Sequence, residues 1–149
     1  MAQSRSRITP PADPGFVPDA ADLAELDEWF RRYDALAEAG DVAGTAALAM
    51  FPLNTVTDDA SGDGSARQLD RAAYLEMMGG VLGGGGDLLM ESRRTPYFLT
   101  RSLVVVLTEA EFTLDGVRQR VRYADLLVRV GGQWRFQTMV QGGWGGQPG

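Results

Sequence analysis

The chain has 149 residues, 44% of them hydrophobic, enough for one domain with its own core and short for two. A formal net charge of -6 argues against nucleic acid and against an anionic membrane surface as partners, since both need a basic face. With neither cysteine nor histidine there is no disulfide framework, no thiolate or imidazole metal site and no histidine base. Chemistry is left to carboxylates, tyrosine, arginine and the backbone, and neither metal nor cofactor is expected.

Residues 1–19 carry Pro10, Pro11, Pro14 and Pro18 among small and polar residues and read as a flexible arm. They lack the apolar run of a signal peptide and no later segment approaches a transmembrane length, so a cytoplasmic protein is expected. A single domain is expected over 20–144, with a loose tail over 145–149. From Asp22 to Ala39 the apolar residues Leu23, Leu26, Phe30, Tyr33 and Ala37 recur at helical spacing, with acidic residues crowding the first turns, where the helix dipole favours them. Gly40 ends this helix and Asp41 caps a second, predicted over Val42–Met50. Pro52 closes off helix, and a short strand follows over Leu53–Thr57, running into Asp58, Asp59 and a loop over 60–66. Asp70 caps a third helix with Ala73, Tyr74, Met77, Met78 and Val81 on its apolar stripe, stopped by the glycines at 83–86.

Only strands follow. Leu88–Leu99 and Leu103–Leu114 are β-rich, with Asp115-Gly116 as the turn after the second, and Val117–Trp144 reads as a long hairpin about Gly131-Gly132. In the first strand of that hairpin Arg118, Arg120 and Arg122 mark a solvated face. Tyr123, Asp125 and Leu127 fall on the other, so a carboxylic acid stands on the face that the pattern assigns to the interior, where it must be satisfied or used. The order helix, helix, strand, helix and then about four antiparallel strands predicts an α+β fold, a strongly bent antiparallel sheet with about three helices on its concave side. Such a cone-shaped barrel encloses an apolar cavity, here closed by the first and third helices.

Three groups stand out by position: Tyr33 on the buried stripe of the first helix, Asp58 at the end of the first strand, and Asp125. A phenol and a carboxylic acid kept protonated by an apolar pocket can donate hydrogen bonds to a developing enolate or alkoxide while an ionised carboxylate moves a proton. The structural alternatives are a core tyrosine, a turn aspartate and an aspartate paired with arginine. Arg32–Asp41 (RYDALAEAGD), then Val56-Thr57-Asp58-Asp59, then Asp125 before a hairpin resemble ketosteroid isomerase and its relatives in the nuclear transport factor 2-like superfamily, which includes SnoaL-like polyketide cyclases and epoxide hydrolases. The resemblance implies that Tyr33 and a protonated Asp125 form an oxyanion hole and that Asp58, or its neighbour Asp59, is the base. The isomerase is a standard example of such tuning of acidity.

Asn54, Tyr74, Tyr123, Trp134 and Phe136 are the expected lining of the substrate pocket. Asp59, Ser61, Asp63, Ser65 and Asp70 also fall at the spacing of a calcium-binding loop, but the preceding residues read as strand, and turns of this composition are commonplace. The leading expectation is a cofactor-independent isomerase, cyclase or epoxide-opening enzyme for a small apolar substrate such as a polyketide or terpenoid intermediate. The alternative is a non-catalytic small-molecule-binding or dimerisation domain of the same fold. A homodimer is expected in either case.

Overall fold

The structure is a computed structural model that describes residues 16–82, 88–114 and 116–143. The expected tail, most of the arm and the glycines at 83–86 lie outside those residues. Within them the order is α1 (Ala20–Glu38), α2 (Val42–Ala46), β1 (Ala49–Asp58), β2 (Gly64–Leu69), α3 (Arg71–Leu82), β3 (Leu88–Thr100), β4 (Leu103–Leu114), β5 (Val117–Val130) and β6 (Gln133–Gln141). The result is the cone-shaped α+β fold, with the sheet open: β2 and β3 are its edges in the order β2-β1-β6-β5-β4-β3.

Helix α1 starts where its capping chemistry places it. The Asp22 N–H donates to Asp19 Oδ1 at 2.8 Å and the Asp19 N–H returns a bond to Asp22 Oδ2 at 3.0 Å, a reciprocal box that satisfies two donors of the first turn. Just before it, Phe16, the first described residue of the expected arm, packs its ring 5.8 Å from that of Phe98. Asp41 caps α2 through the Gly44 N–H at 2.8 Å, and Asp70 caps α3 through the Ala73 N–H at 2.8 Å.

Three details depart from the sequence expectation. The second helix ends at Ala46, and Ala49–Met50–Phe51 already belong to β1, which also contains Pro52. Pairing with β6 is shifted between Ala49 and Asn54, which lets a proline without an N–H sit inside the strand. The expected loop over 60–66 is the turn of a hairpin, since Gly64–Leu69 pairs antiparallel with β1. Five of its six residues are exposed, so this edge strand carries no apolar alternation to read. Finally, β1 and β6 run parallel, which makes the sheet mixed. No turn links those two strands, and turn chemistry is the only local signal of strand direction.

Register decides which side chains share the interior face. One row across the sheet is Phe98–Val104–Leu127–Phe136, the next is Pro96–Val106–Asp125–Met139–Thr55, and the next is Arg94–Thr108–Tyr123. The first is wholly apolar and buried, and the third is polar. Leu53, Val104, Val106 and Leu127 are each at 0% exposure, and every such side chain contributes about 1.5–3 kcal/mol by leaving water. The fold is thus held from the apolar end of the sheet, and polar groups can be carried one and two rows away.

Candidate functional site

Phe136 is the ring about which the helices meet the sheet. Its centroid lies 5.6 Å from Tyr33 on α1 and 6.0 Å from Tyr74 on α3. Tyr33 also stacks on Trp29, one helical turn before it, at 5.7 Å. Trp29 is anchored in turn by its indole N–H, which donates to the Trp134 carbonyl at 2.9 Å. The Tyr33 phenol is therefore held in place by aromatic packing on both sides. Burial pushes its ionisation well above the usual range, and the nearby Tyr74, Asp125 and Tyr123 push the same way.

Asp125 projects from β5 between Val106 and Met139. Its side chain is surrounded by protein yet keeps some exposed area, and none of the described residues donates a hydrogen bond to the carboxyl. Desolvation raises it to about 7, against a smaller downward pull from Arg94. Tyr123, two residues earlier on the same face, is raised first by burial, with Arg94 opposing and Asp125 reinforcing. Tyr74 is completely buried, and its hydroxyl donates to Thr45 Oγ1 at 2.9 Å. That phenol is committed to the fold, while those of Tyr33 and Tyr123 are both raised further by the charge of Asp125.

Arg94 completes the group and was not singled out in the sequence. Its Nη1 and Nη2 donate to Asp34 Oδ2 and Oδ1 at 2.7 and 2.8 Å, and its Cζ sits 4.2 Å from the centre of the Phe30 ring. One signal could have found it: the alternation Arg94, Pro96, Phe98 places the arginine on the inward face of β3. Asp34 had no such signal, being one of several carboxylates on α1.

Of the eight residues expected at the site, the structure gathers Tyr33, Tyr74, Tyr123, Asp125 and Phe136. It does not gather the other three. Asp58 is exposed, and its Oδ1 accepts the Gly143 N–H at 2.8 Å, tying the end of β1 to the turn after β6. Asn54 pairs with Gln68 and Thr138 and alternates with the buried Leu53 and Thr55, which places it on the opposite face of the sheet. Trp134 is 3% exposed and belongs to the apolar end, with Phe98 at 6.0 Å and the Arg129 guanidinium 4.5 Å over its ring. Asp59, the alternative base, accepts from the backbone N–H groups of Ser61 and Asp63 and from the Ser61 hydroxyl, which pull its carboxyl below the usual range. Those bonds build the β1–β2 turn and account for the calcium-loop spacing without an ion. Among the described residues no cluster of three or more carboxylates could hold a metal.

A cavity of about 420 Å³ opens between α1 and β3. Leu26, Phe30 and Asp34 line it from α1, Arg94 and Pro96 from β3, and Val106 from β4. The expected closure by the first and third helices is therefore replaced, for this cavity, by α1 against the edge strand β3. None of the eight expected residues lines it; Arg94 and Val106 do, and Val106 is the cross-strand partner of Asp125. Chemically, the arrangement offers an acid near half-ionisation at neutral pH, two phenols that stay protonated, and one fixed cation.

Known structures share this architecture. Aln2 from a Streptomyces species superposes with a TM-score of 0.67 at 19% identity, over 84% of this chain and 92% of that one. A nuclear transport factor 2-like protein of unknown function from Pseudomonas putida gives 0.67 at 16% identity, over 83% and 87%. A candidate scytalone dehydratase from Novosphingobium aromaticivorans gives 0.58 at 18% identity, over 80% and 82%. No protein-family model and no curated protein matches the sequence. No helix among the described residues is long and apolar enough to cross a membrane.

Proposed function

We propose that this chain, which has the nuclear transport factor 2-like fold, is a cofactor-independent acid–base enzyme acting in the cytoplasm on a small apolar substrate of polyketide or terpenoid type. The observation that carries the reading is the Asp125 carboxyl, enclosed beside Tyr33 and Tyr123, pushed up to about 7 and without an ion-pair partner among the described residues. A carboxylate so raised is basic enough to take a proton at neutral pH and acidic enough to return it. In an isomerisation, ionised Asp125 takes the proton from the carbon next to a carbonyl. The Tyr33 and Tyr123 hydroxyls donate to the oxygen as it gains charge, and protonated Asp125 returns the proton at a second carbon. In an epoxide opening, protonated Asp125 gives its proton to the ring oxygen as the C–O bond breaks, while an internal hydroxyl or water attacks the carbon and then releases its own proton, directly or through water, to the Asp125 carboxylate. The α1–β3 cavity, in which Leu26, Phe30, Pro96 and Val106 are joined by Asp27, Arg31, Ser92 and the Asp34–Arg94 pair, is of the size that small ligands use and reaches the row that carries Asp125. A dehydratase name among the structural neighbours accords with acid–base chemistry on this fold.

In this reading the proton is moved by Asp125 and not by Asp58, whose exposed carboxylate is bonded to the Gly143 N–H. Turnover of a β,γ-unsaturated ketone and of an epoxide probe by the wild type, and its loss in Asp125→Asn with an unchanged circular dichroism spectrum, is the expected result. Equal turnover by Asp125→Asn would remove the carboxyl from the chemistry.

The binding or dimerisation reading has its own support. On the outer sheet face Tyr97, Leu107 and Val140 are 41–42% exposed, an apolar surface that a homodimer would cover. The two readings are compatible, and a dimer that binds apolar probes without turning any of them over would favour the second alone.

A further inference from the structure

Arg94 acts on two carboxylates, Asp34 on α1 and Asp125 on β5, one row further along the sheet. It is bonded to only one of them. Both terminal nitrogens are engaged by Asp34 at 2.7 and 2.8 Å, and the guanidinium is seated over Phe30 at 4.2 Å. The pair is largely removed from water, with side-chain exposures of 13% for Arg94 and 25% for Asp34. Two planar groups joined by two parallel bonds have a fixed relative orientation, so the position of this cation is set by α1. Its charge nevertheless reaches the site, acting on Tyr33, Tyr123 and Asp125. The third donor of the guanidinium, Nε, is buried and has no partner. The Thr108 hydroxyl, the next side chain across from Arg94 on β4, is likewise buried and unpartnered. Arg94 is thus not settled by its own strand; Asp34 holds it, with a lesser hydrogen-bonding interaction with the Tyr123 phenol on β5.

We propose that Asp34 is a positioning residue, which by gripping Arg94 from α1 keeps the guanidinium off Asp125 and leaves that carboxyl unpaired and open to substrate. The inference rests on the reading of Asp125 as the proton carrier. Its physical basis is competition. A buried guanidinium needs a carboxylate, because leaving it alone in low dielectric is far costlier than any single bond it makes. With Asp34 neutralised, the acid that the Arg94 charge still reaches is Asp125 in the next row of the sheet, and the other titratable groups that interact with Asp125 are phenols: Tyr33 from α1, Tyr74 from α3 and Tyr123 from its own strand. An Asp125 paired with Arg94 would be ionised well below neutrality and too weak a base for the proposed chemistry.

The test is the titration of the Asp125 carboxyl followed by carbon-13 NMR in substrate-free protein, a readout that does not depend on turnover. In Asp34→Asn the midpoint is expected to fall by about one to three units, the effect of a new cation within contact distance. In Asp34→Glu, which restores the carboxylate, it should return towards the wild-type value. Arg94→Met is expected to raise the midpoint, and adding Asp34→Asn to it should produce no further change. An Asp125 midpoint that is unmoved in Asp34→Asn overturns the inference. So does an equal fall in the double variant, since the effect would then be the loss of a distant negative charge and not a moved arginine. If Asp34→Asn does not fold, Arg94→Met decides: no rise means that Arg94 does not govern Asp125. Absence of turnover in wild-type protein with these shifts intact would overturn the catalytic reading and leave the pairing standing.

Discussion

Asp34 and Arg94 join α1 to β3 by two parallel hydrogen bonds of 2.7 and 2.8 Å, at the wall shared by the α1–β3 cavity and the acid group around Asp125. Breaking one partner leaves a largely buried charge unpaired, an effect of about 3–5 kcal/mol for a fully buried pair and less at this partial exposure. Arg94→Ala is therefore expected to lower the melting temperature more than Arg120→Ala. The Arg120 pair with Glu111 spans 2.9 Å but has an arginine side chain that is 86% exposed. Thermal melts of the two variants side by side check the ranking.

The acidity of Asp125 makes a signed prediction about stability. Its folded-state value lies above the unfolded 3.8, at about 7, so between those limits the folded chain keeps a proton that the unfolded chain has released. Stability from this group is full below the unfolded value, falls as pH rises through the window and is level above about 7. Asp125→Asn carries no charge at any pH. Its melting temperature should exceed that of the wild type at about pH 8 and converge on it near pH 4. A constant difference across that range would mean that Asp125 ionises as freely in the fold as in water.

For Asp58 the expectation is the reverse of the one the sequence alone supports. Asp58→Asn keeps an oxygen for the Gly143 N–H, and the side chain is exposed, so both stability and turnover of the ketone or epoxide probe should stay within about two-fold of wild type, on the usual scale for surface changes. A loss of turnover comparable to that of Asp125→Asn would restore Asp58 as the base.

Phe136 and Tyr74 separate packing from hydrogen bonding. Phe136→Ala removes the ring that Tyr33, Tyr74 and Trp29 all touch, and should destabilise by about 3–5 kcal/mol. Tyr74→Phe keeps the ring and removes only the bond to Thr45 Oγ1, a loss of about 1 kcal/mol. Denaturant unfolding with equal slopes for both variants would make the comparison direct.

If the outer sheet face is the dimer surface, Leu107→Glu places a charge at its centre, between Thr95 and Ala124 on the neighbouring strands. Sedimentation should then show a monomer with an unchanged circular dichroism spectrum, because the wild-type side chain is already 41% exposed in the single chain, and a melting temperature lowered by the loss of association.

Much of this protein is determined locally and was therefore legible in its sequence. The stripe of Leu26, Phe30 and Ala37, the caps Asp41 and Asp70 and the glycine pair at 131–132 each act over a few residues, and they define α1, the starts of α2 and α3 and the last hairpin. Alternation along β5 likewise put Tyr123 and Asp125 on the interior face, because a period of two leaves no other choice. What tertiary structure alone decided is which distant groups meet. The β1–β6 pairing, the polar edge strand β2 and the outward placement of Asn54 and Asp58 depend on strand neighbours that no turn announces. The Asp34–Arg94 pair depends on where α1 crosses β3. The raised pKa of Asp125 depends on a desolvation set by everything packed around it, and that is a property of the assembled fold.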